Sequence, residues 1–236
     1  IHGALNKCVS NSVSKSIVNY MLLQNFYLTK MQNKINTIIV PSKTMYGILS
    51  DTANFKNIKI KQIATFLPKE NKAEERNNKN RTKYDFCYSG RIAIDKGVHV
   101  LINSLLILSK RKCYPKTLIV GDNDNDYAKD LEKTCKYNKL NVSFTGYKQK
   151  SEVLNLVRQC NYLVVPSVWY DNMPNSLIEA QAIGVPCIVS NIGSLPELIT
   201  DRYNGFLFSP DDSNDLSEKI KDILSIDHEK KRLMRK

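Results

Sequence analysis

The chain has 236 residues, 42% of them hydrophobic and 25% charged, with a formal net charge of +12. That length holds one large domain, or one complete domain and part of another, and the composition is that of a globular protein. No run approaches about eighteen consecutive apolar residues, so a membrane-spanning helix is not expected.

The six cysteines are scattered and form no CxxC pair, which predicts reduced and mostly buried thiols of a cytoplasmic protein. The basic balance suits a nucleic acid, an acidic membrane face or a phosphate-bearing substrate. Cations concentrate only between Lys56 and Lys83 and in the closing "HEKKRLMRK". Zinc-finger spacing and an arginine-rich recognition helix are both missing, so no nucleic-acid partner is expected. Peripheral docking on an anionic inner membrane face fits the same charge. The opening "IHGALNKCVSNS" is neither a translation start nor a secretion signal, and upstream residues are expected to be missing.

In chain order, "SKSIVNYMLLQNFYLTKM" has helical spacing. "INTIIVPSK" reads as a strand stopped at Pro41, "SKTMYGILSD" as a capped helix and "IKIKQIATFLP" as a strand running to Pro68. Residues 1–68 are therefore expected to be the tail of one domain. The polar stretch 69–83, "KENKAEERNNKNRTK", reads as a linker. From Tyr84 the pattern becomes regular: "YDFCYSG", "KTLIVG", "NVSFTG", "NYLVVPS", "PCIVS" and "GFLFS" are short apolar strands with helical segments between most of them. Continuous apolar strands alternating with helices predict a doubly wound parallel α/β domain over 84–226. A basic terminal helix is expected over 227–236.

Ligands in such a sheet sit at the carboxyl ends of the strands. After the first strand, "SGRIAIDKG" offers Gly90, Arg91 and Lys96 with Gly97 at the helix start. They make either a pyrophosphate clamp or two solvated loop cations; the spacing is neither GxGxxG nor a Walker loop. Gly121 in "VGDNDND" is expected to allow a tight turn, with Asp or Asn capping the next helix; the acids lack the EF-hand order, and no metal site is expected. Gly146 and Tyr147 follow the third strand, where the ring is either a platform for a base or a rim aromatic.

After the fourth strand comes "VWYDNMPNSLIEAQAIG". Ser176 and Glu179 match the S-x-x-E capping box, so Glu179 either caps the helix or serves the site. Asp171 stands beside Trp169 and Tyr170 with no capping role. Its carboxylate suits paired hydrogen bonds to sugar hydroxyls, with an aromatic on the apolar face of the ring. His2, His99 and His228 fall in unrelated contexts, which argues against acyl-transfer hydrolysis.

Taken together, "SGRIAIDKG", "LIVGD", "VSFTGY", "VVPSVWYDNMPNSLIEAQAIGVPCIVSNIGSLPELI" and "DRYNGFLFSPDD" resemble the C-terminal, donor-binding domain of the family 4 retaining glycosyltransferases of GT-B architecture. The resemblance implies transfer of a sugar from a UDP- or GDP-linked donor to a glycan or lipid-linked acceptor, without an obligate metal. It assigns Arg91 and Lys96 to the diphosphate, Glu179 to the ribose and Asp171 to the donor sugar. Gly90, Gly121, Gly146 and Tyr147 are placed near the nucleotide, and Asn175, Ser176 and Leu177 by the phosphate or sugar. Two departures accompany it. Asp171 stands where the family has Glu, and Ser194 replaces the second glycine of a Gly-Gly pair, where it is expected to narrow the sugar pocket. A non-transferring nucleotide-sugar binder is the alternative within the fold, and a basic nucleic-acid-binding protein the alternative outside it. The acceptor-side residues are expected to lie upstream, with His2-Gly3 as a remnant of a strand end there.

Overall fold

A computed structural model describes residues 12–28, 34–52, 55, 58–66 and 83–225. The His2-Gly3 remnant, all of the 69–83 linker except Lys83 and the basic terminal helix lie outside the described residues. The chain divides into two compact units, Ile1–Ala64 and Thr65–Lys236.

The first unit contains α1 (Val13–Leu28), β1 (Thr37–Val40), α2 (Lys43–Asp51) and β2 (Lys59–Gln62). Ser42 caps α2, its hydroxyl accepting the Met45 N–H at 3.1 Å. The two strands pair in parallel from Thr37 opposite Lys59 to Val40 opposite Gln62. The second strand was expected to run to Pro68 but ends at Gln62. A strand persists only while it has a neighbour to pair with, and β1 offers four residues.

The second unit is built on a six-stranded sheet of β3 (Tyr84–Ser89), β4 (Thr117–Val120), β5 (Val142–Phe144), β6 (Cys160–Val165), β7 (Cys187–Ser190) and β8 (Gly205–Phe208). The order is β5-β4-β3-β6-β7-β8 with every pair parallel. Between the strands lie α3 (Val98–Lys110), α4 (Asp126–Tyr137), α5 (Lys150–Arg158) and α6 (Asn175–Ala182); a 3-10 turn at Leu195–Leu198 precedes β8 and α7 (Ser213–Ser225) follows it.

Side chains alternate across each strand and divide between two cores. Phe86, Tyr88, Ile119, Tyr162, Val164 and Phe206 face α3, α4 and α7. Cys87, Leu118, Val120, Leu163, Val165 and Val189 face α5 and α6. Covering on both faces is why the strands carry no polar alternation. Each fully buried Leu or Phe contributes about 1.5–3 kcal/mol relative to exposure. Cys87, Cys135, Cys160 and Cys187 are buried and Cys113 half-buried, all as free thiols. Burial pushes the Cys135 thiol up to about 12 and raises that of Cys187 further, so both stay protonated and inert.

Strand order reverses between β3 and β6, and the loops leaving these neighbours diverge there. Gly97, at the start of α3, has φ 67 and stands against the chain leaving β6: a Cβ on it would lie 1.8 Å from the Pro166 carbonyl oxygen. Gly97→Ala is therefore expected to destabilise the unit by about 3–5 kcal/mol, through both strain and clash. Gly47→Ala, in α2 with nothing within 4 Å of the new carbon, is expected to be neutral or stabilising by up to about 1 kcal/mol. Denaturant titrations followed by circular dichroism check the contrast in sign.

Candidate functional site

The carboxyl ends of the strands are laced together by backbone contacts. Gly90 N–H donates to the Val120 carbonyl at 3.0 Å, and Gly121 N–H to the Gly146 carbonyl at 3.3 Å. A Cβ on Gly121 would lie 2.1 Å from the Gly90 carbonyl oxygen. Gly121 was expected to serve a tight turn; its structural demand is this close approach of one loop to another. Asn125 caps α4 as expected, accepting the Ala128 N–H at 2.9 Å. Gly146 has φ 70, and Tyr147 beside it is exposed at the rim.

Below this edge Tyr88 holds the loop that carries the cations. Its hydroxyl donates to the Arg91 carbonyl at 2.6 Å. Burial pushes its pKa far above the usual phenol range, with the charges of Asp171 and Asp95 adding to the effect. The hydroxyl therefore stays a neutral donor. The Arg91 guanidinium, 68% exposed, contacts Asp95 at 2.8 Å. An exposed pair of this kind is worth about 0–1 kcal/mol, so Arg91 is only weakly held.

Lys96 is placed differently. Its ammonium forms an ion pair with the Asp171 carboxylate, which also accepts the Ser167 hydroxyl. The two side chains are only 27% and 12% exposed. The pair spans the crevice between the β3 and β6 loops, and Val168 N–H reinforces it by donating to the Asp95 carbonyl at 3.1 Å. The cation and the carboxylate that the sequence offered separately are thus one unit. Trp169 and Tyr170 are exposed on the loop that carries Asp171.

The capping box expected at Ser176 and Glu179 does not form. Pro174 occupies the N-cap of α6, which puts Ser176 at the second helical position and Glu179 beyond reach of the helix start. The Glu179 carboxylate, 13% exposed, instead pairs with Lys150 at 2.9 Å. The reciprocal box is found at α5, where Gln149 N–H donates to Glu152 at 3.2 Å. Leu177 is fully buried and its N–H donates to the Pro174 carbonyl at 3.1 Å. That leaves the first-turn amides of Asn175 and Ser176 as the donors at this helix start.

Ser194 also departs from expectation. It is buried and its hydroxyl donates to the Asp171 carbonyl at 2.7 Å, so it braces the β6 loop instead of narrowing a pocket. Lys150, Ser167 and Tyr88 were not singled out in the sequence, because no local spacing links them to the residues they hold. Among the described residues no group of three or more metal-ligating side chains is found.

The arrangement combines cations, a helix start and two carboxylates around the point where strand order reverses, where α/β sheets bind ligands. Residues 69–236 match the family Glycosyl transferases group 1. Over 155 residues the chain is 30% identical to an uncharacterized glycosyltransferase of Methanocaldococcus jannaschii, covering 65% of this chain and 42% of that protein. It is 28% identical over 165 residues to the capsular polysaccharide biosynthesis glycosyltransferase CapM of Staphylococcus aureus, covering 70% and 43%. The chain thus spans less than half the length of these curated relatives. The crystal structure of Anabaena HepE in complex with UDP-glucose superposes with a TM-score of 0.67 at 21% identity, covering 85% of this chain and 57% of that one. The fold is the mostly parallel, Rossmann-like α/β architecture of GT-B glycosyltransferases. By its matching family and its fold, the chain is a member of the glycosyl transferases group 1 family.

Proposed function

We propose that this chain carries the donor-binding half of a family 4 retaining glycosyltransferase, which moves a sugar from a UDP- or GDP-linked donor to a glycan or lipid-linked acceptor in polysaccharide or cell-envelope synthesis. The observation that carries the reading is the Lys96–Asp171 pair across the crevice between β3 and β6, with Arg91 and the start of α6 beside it. CapM, named for capsular polysaccharide synthesis, and HepE, crystallised with UDP-glucose, support the substrate class.

In this reading the donor diphosphate draws on three sources of positive charge: Arg91, Lys96 and the Asn175 and Ser176 amides. Glu179, oriented by Lys150, accepts from the ribose hydroxyls. Asp171 accepts from hydroxyls of the donor sugar, with Trp169 and Tyr170 near its apolar face. Gly90, Gly121, Gly146 and Tyr147 border the nucleotide. As the bond between the anomeric carbon and the diphosphate oxygen breaks, its electron pair stays on that oxygen, where Arg91 and Lys96 stabilise the growing charge. The acceptor oxygen bonds to the anomeric carbon on the face the diphosphate leaves, and the acceptor proton passes to the departing phosphate. Residues 1–68 then belong to the acceptor-side domain, 84–226 form the donor domain, and 69–83 link them. The chain by itself binds donor and transfers little.

Calorimetric titration of the chain with UDP, GDP and ADP is expected to show one preferred diphosphate, bound equally with magnesium or with a chelator. Arg91→Ala and Lys96→Ala should each weaken it by about 10- to 100-fold, the loss of one charged hydrogen bond. Failure of the complete gene product to bind any of the three would sink the reading. In that complete enzyme Asp171→Ala should lower kcat/KM for transfer about 100-fold or more; near-wild-type turnover would remove Asp171 from the sugar site.

The net charge of +12 further suggests peripheral attachment to the anionic cytoplasmic leaflet. Sedimentation with phosphatidylglycerol vesicles, lost at about 1 M salt and missing with phosphatidylcholine, is the expected result. Equal binding to both lipids would contradict it.

A further inference from the structure

Ser194 follows β7 at the turn into the Leu195–Leu198 segment and is 1% exposed. Its hydroxyl does two things at once: it donates to the Asp171 carbonyl at 2.7 Å and accepts the Met173 N–H at 2.8 Å. Its own N–H reaches the same Asp171 carbonyl at 3.3 Å. One buried hydroxyl therefore satisfies a backbone acceptor and a backbone donor of a segment that lies in no helix or strand.

That segment needs holding. Met173 is buried with φ 55, a left-handed conformation that side chains other than Gly, Asn and Asp rarely adopt. Gly193 presses the preceding turn against the same segment: a Cβ there would lie 3.1 Å from both the Tyr170 Cα and the Asp171 carbonyl oxygen. Ser194 thus grips Asp171 by its backbone from the β7 side. Lys96 and Ser167 grip its carboxylate from the other. The carboxylate of Glu179, by contrast, is held from α5 by Lys150.

We propose that Ser194 is a positioning residue that sets donor-sugar selectivity, by fixing where Asp171 presents its carboxylate, and leaves the nucleotide end of the site untouched. The proposal rests on the donor-site reading above and deepens it. A displacement of Asp171 by a few tenths of an ångström alters which ring hydroxyls it can accept from, because hydrogen-bond strength falls steeply with geometry. The Lys96 ammonium, on its flexible four-carbon stem, follows so small a displacement, and the Arg91–Asp95 and Glu179–Lys150 pairs do not involve Asp171.

Two measurements on Ser194→Ala test this. In the ligand-free chain, nuclear magnetic resonance is expected to show Met173 amide exchange accelerated at least about 100-fold, with the Val189 amide of β7 unchanged. Unaltered Met173 exchange would overturn the proposal. In the complete gene product, affinities for UDP and GDP are compared with those for UDP-glucose, UDP-galactose, UDP-N-acetylglucosamine and GDP-mannose. The expected result is diphosphate affinity within about twofold of wild type and a discrimination among sugars reduced about 10-fold or more, recovered in Ser194→Thr. Parallel weakening of diphosphates and sugar nucleotides would mark a merely structural role, and retained discrimination would sink the proposal alone. A wild-type protein that binds none of these compounds would sink the donor-site reading itself, and this inference with it. Should Ser194→Ala fold poorly, Ser194→Cys keeps the volume with a weaker hydrogen-bonding group and is expected to shift both readouts in the same direction.

Discussion

The arrangement of this site depends on backbone meeting backbone at the carboxyl edge of the sheet. At Gly97 the loop from β3 comes so near the Pro166 carbonyl that no side-chain carbon fits between them, and Gly121 meets the Gly90 carbonyl in the same way. The Gly97 approach closes the gap at the reversal of strand order, and the one at Gly121 braces the β3 loop from the β4 side. They bring an ammonium from one loop within reach of a carboxylate from the other. A wider separation would leave Lys96 and Asp171 as two solvated surface charges. Glycine is required at both positions for space, and at Gly97 for its left-handed φ as well.

With the loops closed, the charges sort by mobility. Arg91 and Asp95 lie in solvent, so their attraction is screened and exchangeable. Lys96 and Asp171 are largely removed from water, and losing either partner would leave the other without its counter-charge. Glu179 has a comparable partner in Lys150, although that lysine is 55% exposed. Both acids are therefore charge-balanced by a lysine. In the proposed donor site a diphosphate competes with Asp171 for Lys96, whereas Arg91 is held only by an exposed pair.

The strands of the second unit were legible because each is a short, largely apolar run bounded by Gly, Pro or Asn, and because burial on both faces removes the alternation that would have confused them with half-exposed strands. Arg91, Lys96, Asp171 and Glu179 were legible as strand-end residues of a βα pattern. What they touch was not. The S-x-x-E spacing at Ser176 pointed to a capping box, but Pro174, with its fixed φ of −64°, took the N-cap and moved the register by two residues. Lys150 reaches Glu179 from a different helix, and Ser194 reaches Asp171 from a different strand end. Such partners are chosen by tertiary packing, and nothing in the spacing of a linear chain encodes them. Gly121 read as a turn because turns are the commonest local reason for glycine, whereas its reason lies in a neighbouring loop.

The strand order also governs how the protein is made. Lys96 and Asp171 are 75 residues apart in the chain, and β3 gains its second neighbour only when β6 has been synthesised. A nascent chain that has left the ribosome as far as β5 already contains three strands of the sheet in their final order. It presents the other edge of β3, Tyr84 to Ser89, with open amide and carbonyl groups and the apolar Phe86 and Cys87. Such an edge is a template for any extended segment nearby. The central position of β3 in the folded sheet thus leaves one of its edges unpaired in the growing chain until β6 has emerged to cover it.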